Sequence, residues 1–268
     1  MKNMKKIILF FTFIFSVSCS NADKNVSIVK VGYIGESDKV IWQEVMKKVS
    51  NENIEIELIS YIDYFSPNKD LNDGKIDLNN FQHYAFFNHE LESKGYELTA
   101  IADTCIAAMN IYSYNITNIN QIKKHDKIAI PDDDSNRGRA LKVLEAAGII
   151  KLKDRYKQSP TINDIKENKL NVNIIEVDAG SIYNLLPDIA CAVINSNFAL
   201  SFGLNPYTDA IFKDNPSNYA DKNYVNIIAV RTKDKDNEIY KKIVKAYQSD
   251  EVKEIYDKNF NGIYIAVW

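Results

Sequence analysis

The side chains best equipped for chemistry in this chain are the histidines His83, His89 and His125, the cysteines Cys19, Cys105 and Cys191, and the acid run Asp132-Asp133-Asp134. His83 and His89 stand six positions apart, a spacing that does not stack them on one helical face. No CxxC, HExxH, GxxxxGK[ST] or GxSxG pattern accompanies them. The sequence therefore argues against a zinc site and offers neither a phosphate cradle nor a nucleophile elbow, and no cofactor is implied. His83 or the acid run could act in proton transfer, and the acids could hold a cation, although a charge run in a loop is ordinarily a solvated surface. Cys105 and Cys191 each lie among small apolar residues and read as buried, unpaired thiols.

Such residues matter only where secondary structure holds them together. From Val26 to Trp268, short apolar runs alternate with amphipathic helical patterns and no internal repeat appears, which indicates an α/β architecture. Strands are expected at Ile28 to Ile34, Ile54 to Ile59, Leu98 to Ala102, Lys127 to Ile130, Asn173 to Val177, Ala190 to Ile194 and Tyr224 to Arg231. Their uninterrupted apolar character suits sheets covered on both faces. One helical stripe comprises Val40, Ile41, Val45, Met46 and Val49, and another comprises Leu141, Val143, Leu144 and Ala147. Asp134 or Ser135 can cap the second helix, and Gly148 can end it in a left-handed conformation.

The N-terminus follows a different logic. Lys2, Lys5 and Lys6 precede an apolar run of about eleven residues from Ile7 to Val17, inside the ~7–15 of an export-signal core and short of the ~20 that a membrane-spanning helix needs. Ser16 and Ser18 lead into Cys19, which resembles a bacterial lipobox with Ser16 where leucine is usual. Residues 1–18 are thus expected to be a signal peptide, with Cys19 acylated and residues 19–25 a polar tether; a simple secretion signal cleaved nearby is the competing reading. The chain as a whole is 46% hydrophobic and carries a net charge of −3 with interspersed signs. A core is affordable, and the basic stripe that nucleic-acid binding requires is missing.

One long block, Asp63-Tyr64-Phe65-Ser66-Pro67-Asn68 through Asp73-Gly74-Lys75-Ile76-Asp77 to Phe81-Gln82-His83, resembles the DYxxPNxAL-x-DGxIDxNxFQH signature of the MetQ/NlpA family of methionine-binding lipoproteins. A second block, Ile130-Pro131-Asp132-Asp133-Asp134-Ser135-Asn136-Arg137-Gly138-Arg139-Ala140-Leu141, is similar to the family's IPNDPTNxGRAL. Further matches include Ala192-Val193-Ile194-Asn195-Ser196-Asn197-Phe198-Ala199, Gly203-Leu204-Asn205-Pro206 and Tyr224-Val225-Asn226-Ile227-Ile228, so the likeness runs from about Val31 to Trp268. Departures border the expected cleft: the family usually has proline near Ala108 and asparagine at Asp132 or Asp133, and the loop Lys213 to Lys222 is longer than usual.

The resemblance implies a two-lobed periplasmic-binding-protein fold of type II-like character, with an interlobe ligand cleft and two crossover segments near Ile106 to Ser113 and Asp221 to Val230. Lobe one would comprise residues 26–109 plus 226–268, and lobe two residues 110–225. It implies no catalysis. The expected role is capture of L-methionine, D-methionine or a methionine-containing dipeptide and delivery to the membrane and ATPase subunits of an ABC importer, from a lipid anchor in the cell envelope. Carried over by motif, Arg139 would grip the carboxylate, Asn195 and Asn226 would accept from the ammonium, and Tyr64, Phe81 and His83 would surround the thioether. Asn136 and Asn197 complete the expected set. By composition alone Tyr64 and Phe81 read as core, His83 as a structural histidine and Arg139 as a solvated helix residue. A surface lipoprotein that contacts a host or partner, and an enzyme on the same fold, are the alternative functions.

Overall fold

The computed structural model describes residues 26–215, 222–260 and 262–268. The export segment, Cys19 and part of the Lys213 to Lys222 loop lie outside them. Among the described residues no helix is long and apolar enough to cross a membrane.

Alternating β-branched residues open the chain as β1 (Ser27–Tyr33), which pairs in parallel with β2 (Ile54–Ser60) from Ser27 against Ile54 to Tyr33 against Ser60. Between them runs α1 (Glu36–Val49), entered through Gly35 at φ +93°, a conformation that disfavours any side chain. Acids Glu36 and Asp38 occupy its first turn and Lys47 and Lys48 its last, complementing the helix dipole. Its buried face carries Ile41, Trp42, Val45 and Val49, whereas Val40, expected in the same stripe, is exposed. Position 40 lies beside Ile41 in sequence but about 100° around the helix from it, so it turns to solvent.

α2 (Ser66–Asn72), β3 (Leu78–His83) and α3 (Tyr84–Lys94) follow. Every residue of β3 is buried, although its sequence Leu-Asn-Asn-Phe-Gln-His lacks the apolar alternation of a strand. The amides make this tolerable by satisfying one another: Asn68 Nδ2 donates to Gln82 Oε1 (2.7 Å), while Asn79 Nδ2 (2.9 Å) and Gln82 Nε2 (2.6 Å) donate to Asn68 Oδ1. Asn80 Nδ2 reaches the Ile227 carbonyl. Buried polar groups paired in this way lose little on leaving water.

β4 (Leu98–Ala107), β12 (Val225–Arg231) and β13 (Tyr264–Ala266) complete a six-stranded sheet in the order β13-β4-β12-β3-β1-β2. α6 (Glu238–Tyr247) and α7 (Asp250–Ile255) cover one face, where Trp42 meets Tyr247 with ring centroids 5.2 Å apart. A five-stranded sheet, β11-β5-β10-β6-β9, is built from β5 (Met109–Tyr112), β6 (Lys127–Pro131), β9 (Asn173–Val177), β10 (Cys191–Asn195) and β11 (Ala210–Phe212). A short separate ribbon pairs β7 (Lys151–Leu152) with β8 (Ile165–Glu167). The backbone passes from the large sheet to the smaller one between Ala107 and Met109 and returns between Phe212 and Val225.

α4 (Asp134–Ala146) packs on the smaller sheet through Ala140, Leu141, Val143 and Leu144. Its cap is Asp133 and neither Asp134 nor Ser135: the Asp133 carboxylate accepts from the Asn136 N–H (2.9 Å) and the Ser135 hydroxyl (2.8 Å). The middle acid of the run is thus buried and structural. Gly148 takes φ +76° just beyond the helix, as expected. At Gly138 a Cβ would stand 2.8 Å from Ser159 Cα, so only glycine lets this segment lie against α4.

Asn68 is the node of the buried amide network, and its replacement by alanine leaves Asn79 and Gln82 short of partners. Urea denaturation of Asn68→Ala is expected to show a loss of about 1–3 kcal/mol, whereas Lys69→Ala, a solvated neighbour on α2, stays within about 0.5 kcal/mol of the parent. Equal effects would remove the network from any stabilising role.

Candidate functional site

Between the two sheets lies a cavity, and Tyr64, Phe81, His83, Asn136, Arg139, Asn195, Asn197 and Asn226 all line it. The first three come from the large-sheet side: Tyr64 just before α2, Phe81 and His83 on β3. Asn136 and Arg139 come from α4, Asn195 from the end of β10, Asn197 from α5 (Ser196–Ser201) and Asn226 from β12.

One wall is aromatic. Tyr64 packs on Phe81, Phe86 and Phe198 with ring centroids 6.0, 5.8 and 4.9 Å away. Its hydroxyl donates to Asn197 Oδ1 at 2.8 Å, and burial pushes the phenol well above its ordinary pKa.

A second part of the lining is a chain of amides anchored by His83. The Phe86 N–H donates to His83 Nδ1 at 3.2 Å, capping α3, so the ring proton belongs on Nε2. Nε2 then donates to Asn136 Oδ1 at 3.3 Å, an oxygen that also accepts from Asn195 Nδ2 at 2.8 Å. Asn136 Nδ2 donates to both Asp133 carboxylate oxygens, at 3.0 and 3.1 Å. Burial and the nearby Arg139 charge push His83 from 6.5 down to about 3, only partly offset by its bond to Asn136. A neutral, doubly engaged imidazole of this kind positions its neighbours; it is poorly suited to take up protons near neutrality.

Arg139 is 2% exposed, contrary to what composition alone would suggest. Nη2 donates to the Ala107 carbonyl and to Asp214 Oδ2 at 3.2 Å, and the guanidinium lies over the Tyr224 ring, 4.8 Å from its centroid. Asn226 Nδ2 donates to the Cys105 carbonyl at 3.2 Å. Among the described residues, the buried Asn195 Oδ1 has no hydrogen-bond partner. The cavity thus combines a buried cation, an unused amide acceptor and an apolar face, which are complementary to a carboxylate, an ammonium and an apolar side chain.

Sequence reasoning missed Asp214, which also accepts from the Met109 N–H at 3.1 Å. It lies in the loop singled out only for its length, and nothing in its neighbours marks it as the partner of Arg139. Asp38 was also missed; an acid in a first helical turn ordinarily signals a dipole interaction and no more. Cys105 and Cys191 are free and buried, and burial pushes both thiols up to about 12. Among the described residues no cluster of three His, Cys, Asp or Glu side chains could hold a metal ion.

Two α/β sheets joined by two crossings, with a polar and aromatic cavity between them, define a periplasmic-binding-protein type of substrate-binding protein. The chain belongs to the NlpA lipoprotein family, whose sequence profile matches residues 29–268. It is 38% identical over 259 residues to the D-methionine-binding lipoprotein MetQ of Escherichia coli K12, covering 94% of this chain and 93% of that one. The crystal structure of the methionine-binding protein MetQ superposes with a TM-score of 0.84 at 37% identity, covering 90% of this chain and 98% of that one. A nutrient-binding protein from Burkholderia cenocepacia bound to methionine gives a TM-score of 0.82 at 37% identity, covering 90% and 100%.

The His83 shift carries a sign that can be measured. Because its folded pKa is depressed, the unfolded chain binds more protons between pH 6.5 and about 3. His83 therefore contributes stability that is complete above 6.5 and lost as the pH falls through that window. His83→Gln should flatten the acid-side fall of stability relative to the parent, as read by denaturation midpoints from pH 7 to about 4. Parallel profiles would mean that His83 takes up its proton as readily in the folded protein as in the unfolded chain.

Proposed function

We propose that this protein captures methionine or a close relative outside the cytoplasm and delivers it to the membrane and ATPase subunits of an ABC importer. The observation that carries the reading is the buried Asn195 Oδ1, without a partner among the described residues, in the same cavity as the buried Arg139 and the Tyr64–Phe81 aromatic wall. An unpaired acceptor in a dry site is costly unless a ligand donor completes it. Arg139, held by Asp214 and Tyr224, offers its guanidinium to the ligand carboxylate. Asn195 and Asn226 accept from the ammonium, with Asn136 and His83 holding Asn195 in place. Tyr64 and Phe81 face the thioether, and Asn197 fixes the tilt of the Tyr64 ring. The names of the relatives support methionine as the ligand.

In this role residues 26–109 plus 226–268 act as one lobe and 110–225 as the other, hinging at the two crossings and closing over the solute. The carrier is held at the cell envelope by acylation of Cys19, a reading supported by the basic and apolar segment before that residue and by membership of a lipoprotein family. The geometry supports solute capture in preference to turnover, since the histidine in the cavity is neutral and its two nitrogens are already engaged.

Titration calorimetry tests the capture. L-methionine should bind the parent protein, and Arg139→Ala and Asn195→Ala should each weaken it by about tenfold or more, the cost of losing a charge-assisted contact or a buried acceptor. Unchanged affinity in both variants, with circular dichroism showing them folded, would place the ligand elsewhere. Fractionation tests the anchor: Cys19→Ser should move the protein from the membrane to the soluble fraction, and continued membrane association would rule out acylation at Cys19.

A further inference from the structure

Two glycines stand where the large-sheet side of the molecule meets the smaller-sheet side. Gly35, at the entry to α1, is one: a Cβ there would lie 3.0 Å from Ser201 Oγ and 3.1 Å from the Asn197 carbonyl oxygen, both in α5. Its φ of +93° already disfavours a side chain, so conformation alone accounts for it. Gly180 is different. It follows β9 and does not take a positive φ, so its backbone would accept alanine. A Cβ at this position would nevertheless stand 2.7 Å from the carbonyl oxygen of Ile62, which follows β2 on the large-sheet side. The next neighbours, Asp178 Oδ1 and Phe198 Cε1, lie at 3.4 Å, an ordinary contact. The neighbour that forbids a side chain at position 180 therefore belongs to the opposite lobe.

Neither side of this contact can yield cheaply. Before Ile62, the Tyr61 N–H donates to the Tyr33 carbonyl at 3.0 Å. After it, the Asp63 carboxylate accepts from the N–H groups of Phe65 and Ser66, both at 2.8 Å, and from the Ser66 hydroxyl at 2.7 Å. The Ile62 carbonyl is thus fixed from both directions, while the Ile62 side chain is exposed and takes no part. On the other side, Ser181 holds the turn that carries Gly180, donating its N–H to the Asp178 carbonyl at 2.9 Å and its hydroxyl to Asp178 Oδ1 at 3.0 Å. Ala179 and Ile182 pin the same turn by burial in the apolar cluster that contains Tyr64 and Phe198. The contact also adjoins the cavity. Phe198, which reaches the Gly180 position through Cε1, packs on Tyr64 with ring centroids 4.9 Å apart, and Tyr64 donates to Asn197.

We propose that Gly180 is a positioning residue for solute capture: its bare Cα lets the two lobes approach until the Ile62 carbonyl seats against it, and this contact holds the Tyr64–Phe198 side of the cavity in its closed geometry. The proposal rests on the reading of the molecule as a two-lobed solute carrier. A methyl group at position 180 meets nothing prohibitive within its own lobe and obstructs only the approach of the other. With both backbones pinned, the obstruction is relieved most easily by the lobes standing apart. Binding then draws on a smaller population of the closed form, and the apparent affinity falls by that fraction. Gly180 is not among the residues that line the cavity, so the loss is not that of a direct ligand contact.

Gly180→Ala tests this through two readouts taken together. Titration calorimetry with L-methionine should show affinity lower than the parent's by about tenfold or more, and small-angle scattering without ligand should give the variant the larger radius of gyration. Unchanged affinity would overturn the proposal. So would weaker binding at an unchanged radius of gyration, which would mean that the methyl group disturbs the Phe198 ring locally and leaves closure alone. Should Gly180→Ala fail to fold, hydrogen exchange of the parent decides: the amides of Asp63 and Ser181 should exchange more slowly once methionine is added, and unaltered exchange at both would overturn the contact as a closure point. Failure of the parent to bind methionine would overturn the capture reading alone. The scattering comparison of the unliganded proteins would still stand, and equal radii there would overturn the role of Gly180.

Discussion

The arrangement of the cavity depends on one imidazole being neutral. His83 sits at the last position of β3 and accepts the Phe86 N–H through Nδ1, which it can do only while that nitrogen is unprotonated. The same condition leaves Nε2 as the donor to Asn136. Protonation would therefore cost α3 its cap and bring a second positive charge beside Arg139. Desolvation and Arg139 together hold the ring far below the range in which it would charge. From this follows the orientation of two further amide groups. Asn136 must present its oxygen to His83, so its Nδ2 faces the Asp133 carboxylate and its oxygen takes the Asn195 Nδ2. The Asn195 oxygen is left as the open acceptor. A single tautomer on the large sheet thus decides which polar atom the smaller sheet shows to the cavity.

Arg139 raises the complementary question of how a guanidinium survives with 2% of its surface exposed. The Asp214 carboxylate, the Ala107 carbonyl and the Tyr224 ring answer it together, since a buried ion pair offsets desolvation only when hydrogen bonds complete it. The Ala107 carbonyl lies at the crossing from β4 to β5, and Asp214 also takes the Met109 N–H on the other side of that crossing. The cation that is assigned to the ligand carboxylate is consequently tied to the backbone around which the lobes would hinge. A change in its partners is felt where the chain crosses, and this gives a physical route from ligand contact to lobe geometry.

Much of the large-scale order was legible because it is written in apolar periodicity: the seven strands anticipated from runs such as Lys127 to Ile130 and Asn173 to Val177 all occur, with ends shifted by a few residues at most except in β4, which runs on to Ala107. β3 was not legible. Its Asn and Gln residues disfavour a strand, and only the buried partnership with Asn68, contributed by α2, makes the central position tolerable. β5 escaped notice because its four residues follow β4 after a single intervening position, and the break between them is a change of sheet that no local pattern announces. The cavity residues were named through motifs, since Tyr64, Phe81, His83 and Arg139 taken singly look like core or surface. Asp38 and Asp214 carry no such label, and the environment that makes each of them unusual is assembled from segments far away in sequence.

The contacts that join the two sides of the cavity come largely from the cavity residues themselves. Tyr64 donates to Asn197, His83 donates to Asn136, and Ser196 Oγ donates to the Ala108 carbonyl at the crossing. Buried apolar packing adds to them: Ile34, Tyr64, Phe81 and Phe86 share a cluster with Ile194, Phe198 and Ala199. Opening such a molecule would break these bonds and wet the aromatic wall, so the closed form is already stabilised before any solute contributes. A solute that donated to the open Asn195 oxygen would shift the balance further toward closure. Each polar atom that the protein satisfies internally reduces the number of ligands able to improve on the empty site. The buried Asn195 oxygen, left without a partner among the described residues, is a point at which the chemistry of the ligand decides the affinity.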